Sequence, residues 1–326
     1  MSMRVLVTGA NGFIGRHLVQ RLSQLGYAVR AGVRGKDGAG QAGGVELIHL
    51  GEVGPHTDWK PSLEDVSVVV HLAAVAHRIG PAAAQAEEYQ LVNGEGTARL
   101  AEQVAASPTV RRLILLSSIA VTGSQSQFPV SEHSVPAPDS AYGWSKYRAE
   151  LAVAEVLRAT VADWCALRPA LVYGPGNPGN MARLFRLVSL GIPLPLDAIP
   201  NYRSFLYVEN LVDVIARVLD SPQASRRVFA VADREVVSTS ELLRLIGRAA
   251  GRPVRLFSVP PELLRGAARV GDWTAALLRR SVGLDSYALD RLLGSLAVDI
   301  SGVCSSLDWQ PPHSLETGLR QTLLRA

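Results

Sequence analysis

Cysteine is scarce in this 326-residue chain, with only Cys165 and Cys304. Two residues so placed give neither a disulfide framework nor metal-ligand spacing, which excludes a stapled secreted scaffold and a zinc module and fits a reducing compartment. No apolar run is long enough to span a bilayer. The stretch from Met3 to Gly9 enters a Gly-rich turn without the long apolar core of a signal peptide. The expectation is a cytoplasmic protein with no transmembrane segment. Zinc spacings and aromatic-basic platforms are also missing, so nothing favours nucleic acid as a partner. There is no internal repeat and no low-complexity linker.

What the chain has is a large apolar fraction, 48% against 19% charged residues. That balance belongs to a compact globular protein, with one large domain or two intimate lobes. The net charge is +4, with arginine concentrated after residue 244. Those arginines read either as solvated helix faces or as an attraction for a phosphate-bearing ligand or an anionic membrane surface.

The first half alternates short β-rich runs with helical stretches. Strands are expected at Arg4–Thr8, Ala28–Val33, Val45–His49, Val68–Leu72, Leu113–Ser117 and Trp164–Arg168, with helices over Ile14–Leu25 and Ala83–Ala105 and from Tyr142. The strands are nearly continuous apolar runs, as in a parallel sheet covered on both faces, and the alternation of β and α units gives a right-handed doubly wound α/β fold. The second half is richer in Pro, Gly and Arg. A helix is expected from the capping-box pattern Ser238-x-x-Glu241, and a last one over Ser314–Arg325.

Two clusters carry chemistry. Thr8-Gly9-Ala10-Asn11-Gly12-Phe13-Ile14-Gly15 lies between the first strand and the first helix. Glycines there allow a sharp turn and a close approach to a pyrophosphate, and the helix N-terminus presents free N–H groups. Gly9, Asn11, Gly12, Phe13, Ile14 and Gly15 are therefore candidate contacts of a dinucleotide. After the second strand an acid would bind the 2′-hydroxyl of NAD, whereas a base accommodates the 2′-phosphate of NADP. This chain has Arg34 there, so NADP(H) is favoured and NAD(H) stays open, since an exposed loop Arg can also have no role.

The second cluster is Tyr142-Gly143-Trp144-Ser145-Lys146-Tyr147. Residues at i and i+4 share one helix face, and a cation one turn away favours the phenolate. Tyr142 and Lys146 thus form a proton donor and acceptor pair for alcohol–ketone chemistry. Ser118, at the end of the fifth strand, can stabilise charge on the reacting oxygen. Ser117 reads equally as a strand-end cap or a contributor.

With Thr8–Gly15, His71-Leu72-Ala73-Ala74, Asn93-Gly94-Glu95-Gly96-Thr97, Ser117-Ser118, Tyr142-x-x-x-Lys146 and Arg168-Pro169…Tyr173-Gly174-Pro175, the chain resembles the extended short-chain dehydrogenase/reductases. Within them it is similar to the nucleotide-sugar epimerase/dehydratase/4-ketoreductase group. The resemblance implies a Rossmann-type domain over 1–170, with elements returning from about 205–235, and a smaller, mainly substrate-binding lobe over 171–326. It implies Tyr142 as acid/base, Lys146 as holder of the nicotinamide ribose, and Ser118 at the reacting oxygen. Leu72, Ala73, Ala74, Asn93, Ser117 and Pro169 would line or support the cofactor cleft. Asn180, Arg203 and Arg291 would hold the sugar-nucleotide diphosphate, and no metal is implied. Subunits of the group pair the Ala83–Ala105 and Tyr142–Ala159 helices into a four-helix bundle, so a homodimer is expected.

The chain departs from the usual 4-epimerase pattern at Leu171, Arg34 and Thr122, and Ile119-Ala120 replace the Asp-Glu pair of dehydratases. The resulting expectation is an NADP(H)-dependent 4-ketoreductase of a UDP-4-keto-6-deoxy-N-acetylhexosamine in surface-polysaccharide (O-antigen, lipopolysaccharide) synthesis. The alternative is an NAD-dependent UDP-hexose or UDP-N-acetylhexosamine 4-epimerase. A third is a non-catalytic dinucleotide sensor, which would have no reason to hold Ser118, Tyr142 and Lys146 together.

Overall fold

In the first strands of the chain, successive residues feed opposite sides of one sheet. Val5 and Val7 enter one apolar core and Leu6 the other. The same alternation sends Val68 and Val70 to the first core and Val69 to the second, then Ile114 and Leu116 against Leu113 and Leu115. A strand buried on both faces must be apolar at every position, which explains the unbroken runs. The computed structural model describes residues 3–35, 44–76, 82–177, 180–197, 199–266, 268–269 and 286–324.

The elements begin with β1 (Arg4–Thr8), α1 (Phe13–Gln24), β2 (Ala28–Val33), β3 (Val45–His49), α2 (Lys60–Leu63) and β4 (Val68–His71). Next come α3 (Ala82–Glu88), α4 (Gly96–Ala105), β5 (Arg112–Leu116), α5 (Ala141–Val156), β6 (Asp163–Pro169) and β7 (Leu171–Tyr173). The chain continues through α6 (Asn180–Ser189), β8 (Arg203–Tyr207), α7 (Val208–Val218), β9 (Arg227–Val231), β10 (Val236–Val237) and α8 (Thr239–Ala249). Helices at Ser286–Leu293, Ser301–Leu307 and Leu315–Leu324 follow.

Seven strands form a parallel sheet in the order β3-β2-β1-β4-β5-β6-β9. It is the Rossmann-type doubly wound sheet, whose ligand crevice lies beyond the carboxyl ends of the strands. A second sheet, β10-β8-β7, has β8 parallel to β7 and antiparallel to β10. Pro169 ends β6, buried, where the chain passes from the large sheet to the small one.

One expectation is corrected. The single helix read over Ala83–Ala105 is divided by a π-helical turn at Tyr89–Glu95. The wider turn lets the Asn93 amide grip Val75 on both backbone groups, at 2.8 and 2.9 Å. Such bulges break the 3.6-residue period locally and cluster at functional sites. The capping box at Ser238 is present, with Ser238 Oγ accepting from the Glu241 N–H at 3.1 Å.

Candidate active site

The Gly-rich turn has room only for backbone. Gly9 has φ +68°, and a Cβ there would stand 2.9 Å from the Ala73 nitrogen. A Cβ on Gly15 would fall into the Gly9 carbonyl oxygen and stand 2.7 Å from Ala10 Cα. These two glycines let α1 abut β1 and bring the β4 end, Leu72–Ala73, against the turn. Gly12 is the N-cap residue of α1 and has no side-chain cap. The first N–H groups of α1 are thus left for an anion. Asn11 is exposed, and Phe13 and Ile14 are half-buried.

His71 fastens the same end of the sheet. Its Nδ1 lies 2.8 Å from Thr8 Oγ1 and its Nε2 3.2 Å from Thr97 Oγ1. Burial, aided by the Lys146 charge, lowers its pKa to about 3, so the ring is neutral. Thr8 Oγ1 in turn accepts from the Leu72 and Ala73 N–H groups at 3.2 and 3.1 Å. Ala74 is exposed just beyond.

On the facing side, α5 starts at the Ser140 cap, whose Oγ accepts from the Gly143 N–H at 3.1 Å. Gly143 presses against the short 3₁₀ turn Ile119–Thr122: a Cβ would stand 2.6 Å from the Ala120 carbonyl oxygen. Ser118 caps that turn, with its Oγ accepting from the Ala120 N–H at 3.2 Å. The close approach of these two elements brings Tyr142 and Ser118 to the same end of the sheet. The Tyr142 ring meets Tyr89 edge-on, with centroids 5.7 Å apart. Asn93 Nδ2 donates to Ser145 Oγ at 3.0 Å, and Ser145 Oγ donates to the Tyr142 carbonyl at 2.8 Å. The π-turn therefore braces the first turn of α5.

One turn inward, Lys146 is 5% exposed and donates from Nζ to the Leu116 carbonyl at 2.7 Å. Burial lowers its pKa to about 8, while the Glu150 charge opposes the shift. Glu150, a further turn along, is the polar residue that sequence reading missed. It accepts from Arg168 Nε at 2.9 Å and Nη2 at 2.6 Å, and from the Ser117 hydroxyl. Arg168 and Glu150 are each 5% exposed, a buried bidentate pair. Spacing offered the signal, because Tyr142, Lys146 and Glu150 continue one i, i+4 stripe. The Ser117 hydroxyl is turned inward to this cluster.

The remaining candidates lie in the second half. Arg34 is exposed at the carboxyl end of β2, and its guanidinium has no partner among the described residues. Arg203 begins β8 and donates from Nη1 to the Gly294 carbonyl at 3.0 Å. Asn180 is the first residue of α6 and Arg291 lies in the helix Ser286–Leu293, but both side chains are outside the described residues. Thr122 is buried and its hydroxyl donates to the Ile119 carbonyl at 2.8 Å, whereas Leu171 is half-buried in β7. Among the described residues no cluster of potential ligands could hold a metal ion, and no helix is long and apolar enough to cross a membrane.

A doubly wound sheet, a glycine turn shaped for a pyrophosphate and a helix carrying Tyr142 over Lys146 define an NAD(P)-dependent enzyme of the extended short-chain dehydrogenase/reductase type. The model of the NAD dependent epimerase/dehydratase family matches residues 5–232, and the chain belongs to that family. It is 37% identical to a UDP-glucose 4-epimerase of Vibrio cholerae, over 99% of this chain and 95% of that one. It is 25% identical to the N-acetyl-alpha-D-glucosaminyl-diphospho-ditrans,octacis-undecaprenol 4-epimerase of Escherichia coli O157:H7, over 99% of this chain and 95% of that one. Among solved structures, MoeE5 in complex with UDP-glucose and NAD matches with a TM-score of 0.75 and 26% identity, covering 99% of this chain and 98% of that one.

Proposed function

We propose that this protein is a UDP-sugar 4-epimerase working with NAD. The observation that carries the reading is the stripe Tyr142–Lys146–Glu150 pressed by Gly143 against the Ser118 turn, in a chain 37% identical along nearly its full length to a UDP-glucose 4-epimerase. Tyr142 takes the proton of the C4 hydroxyl, and the Ser118 hydroxyl supports the oxygen as its charge develops. After the sugar presents its other face, Tyr142 returns the proton and the C4 configuration is inverted. The alcohol is oxidised and then reduced, so no net redox change results. When bound, NAD supplies the two-electron acceptor that takes up and gives back the C4 hydrogen.

Lys146 supplies the charge that favours the phenolate. It uses one of its three N–H donors on Leu116, which leaves two for the ribose hydroxyls. The turn Gly9–Gly15 would hold the pyrophosphate, with Asn11, Phe13 and Ile14 beside it, Leu72, Ala73, Ala74 and Pro169 lining the cleft, and Asn93 and Ser117 supporting it. In this reading the small sheet and the helices after it form the substrate lobe. Asn180, Arg203 and Arg291 would hold the UDP diphosphate, a task suited to the guanidinium fork. The outward residues Leu91, Trp144 and Leu151, 39%, 48% and 51% exposed, suit a homodimer built on the π-turn and α5; sedimentation as a monomer only would rule it out.

One observation favours a second reading. Arg34, without a partner among the described residues, follows β2 where an adenosine ribose would be read, and it suits a 2′-phosphate. That would make the protein an NADPH-dependent 4-ketoreductase, acting on a UDP-4-keto-6-deoxy-N-acetylhexosamine in surface-polysaccharide synthesis. Mass spectrometry of nucleotide released from the purified protein separates the two. Stoichiometric NAD supports the epimerase; an empty site that gains thermal stability from NADPH, and not from NAD, overturns it in favour of the reductase.

A further inference from the structure

Two segments of the second half are rich in arginine and meet in the fold. Residues 180–197 and 244–269 hold eight arginines against Asp197 and Glu262, a net +6 where the complete chain carries +4. The fold joins these two segments. Leu194 and Leu256 form a β-bridge, the Leu194 N–H donates to the Arg255 carbonyl at 2.9 Å, and the Phe257 N–H donates to the Leu194 carbonyl at 3.0 Å. Helix α6 packs on α8, and Arg252 reaches across to the Ser189 carbonyl at 3.3 Å.

Arg244, Arg248 and Arg252 recur every fourth residue along α8 and its exit, all exposed, and line a shallow pocket with Pro253. Arg244 is matched by Asp197, and Arg265 faces Asp290 at 3.6 Å. Arg183, Arg186, Arg248, Arg252, Arg255 and Arg269 have no carboxylate partner among the described residues. Among them stand large apolar side chains turned to solvent: Leu190 is 63% exposed, Ile192 51%, Phe257 46% and Leu263 65%. The backbone bridge sets Ile192 and Phe257 close to the junction itself, with Leu190 and Leu263 at the ends of the segments leading to and from it.

We propose that this surface of the protein docks on an anionic lipid bilayer. Two features together select that occupant. Unpaired arginines are attracted to an anionic leaflet, and long arginine side chains lie along an interface with their heads at phosphate depth. Exposed leucine, isoleucine and phenylalanine side chains gain by entering the boundary between headgroups and acyl chains. A soluble phosphate would engage the arginines alone and leave the four apolar side chains in water. The docking surface is built from elements other than the α5 stripe and the Gly-rich turn, so it goes beyond the proposed epimerase chemistry and stands or falls separately from it.

Flotation of the full-length protein with vesicles, at physiological ionic strength, tests the proposal. Binding is expected to vesicles of phosphatidylcholine mixed with phosphatidylglycerol, and not to phosphatidylcholine alone. Reversing three charges, R248E/R252E/R255E, should weaken that binding by on the order of a hundredfold or more. The apolar variant L190S/I192S/L263S should weaken it by about tenfold or more. Both should keep the circular-dichroism spectrum and the sugar-nucleotide turnover of the parent. Arg255→Gln, a single exposed change, gives a smaller loss of the same sign should the triple variant fail to fold. Equal binding to the two vesicle types, unchanged binding of a folded charge variant, unchanged binding of the apolar variant, or displacement from vesicles by inorganic phosphate would each overturn it.

Discussion

Lys146 and Arg203 are both cations proposed to hold cofactor and substrate, yet the two regions that hold them are built differently. Around Lys146 one helix supplies Tyr142, Lys146 and Glu150 at helical spacing, and Ser117 and Arg168 close the cluster from the ends of β5 and β6. The charges there are buried: Glu150 is paired with Arg168, and Lys146 donates to the Leu116 carbonyl. Around Arg203 a five-residue strand meets pieces from distant parts of the chain. Asn201, 1% exposed, donates to Thr239 Oγ1 at 3.0 Å and to the carbonyls of Leu292 and Gly294 at 2.9 and 3.0 Å. The first region is prearranged by local periodicity; the second is assembled by long-range contacts. Under the proposed function, the chemical step belongs to the first region and substrate choice to the second.

The sharpest way to break that division is at Tyr142. Tyr142→Phe should lower kcat by roughly 10²–10⁴-fold with the fold retained, because the proton carrier is removed and the ring is kept. Full activity would remove Tyr142 from the chemistry. Next comes the buried pair beneath it. Glu150→Gln leaves Arg168 uncompensated in the interior and should cost about 3–5 kcal/mol in denaturant titration, with the double change E150M/R168M recovering much of it. The same single variant should move the alkaline limb of the pH–rate profile to lower pH, since Glu150 holds the Lys146 charge in place.

The pH dependence of Lys146 has two opposite consequences. Its folded pKa of about 8 lies below the unfolded 10.5. Activity should therefore fall as pH rises through about 8. Between those two values the unfolded chain binds more protons, so the Lys146 contribution to stability rises with pH. A pH–rate profile set beside urea titrations at each pH reads both signs.

Smaller effects test elements outside the chemical step. Ser238→Ala removes the α8 cap and should cost about 0.5–2 kcal/mol with no change in kcat/KM, as expected of a helix outside the chemical step. The smallest is at His17, whose Nδ1 lies 2.7 Å from Glu209 and whose Nε2 lies 3.1 Å from the Pro175 carbonyl, tying α1 to the loop after β7. The Glu209 hydrogen bond raises its pKa above 6.5. Its stabilisation is then full below about pH 6.5 and is lost as pH rises through the folded value. His17→Gln should cost under about 1 kcal/mol at low pH and nothing near pH 9.

Much of the first region was legible because its signals are local. The strands β1, β2 and β3 fall where apolar runs place them, and the glycine turn, Tyr142 and Lys146 can each be read within a few residues, as can the Ser238 cap in the second half. The π-turn was not legible, since the contact it makes, the grip of Asn93 on Val75, spans 18 positions. Glu150 was passed over because its meaning depends on Arg168, which reaches it from another strand. The small sheet β10-β8-β7 escaped for the same reason: β10 has two residues and β7 three, too short for a pattern. Asn180 and Arg291 rest on resemblance alone, with no local signal in either case.

The most direct test of the central proposal is incubation of the purified protein with UDP-galactose, and separately with UDP-N-acetylgalactosamine, without added cofactor. One or both should approach equilibrium with the gluco epimer, and Tyr142→Phe should slow this by roughly 10²–10⁴-fold. Absence of interconversion by the cofactor-loaded protein, together with stoichiometric NADPH consumption on a 4-keto sugar nucleotide, would contradict it.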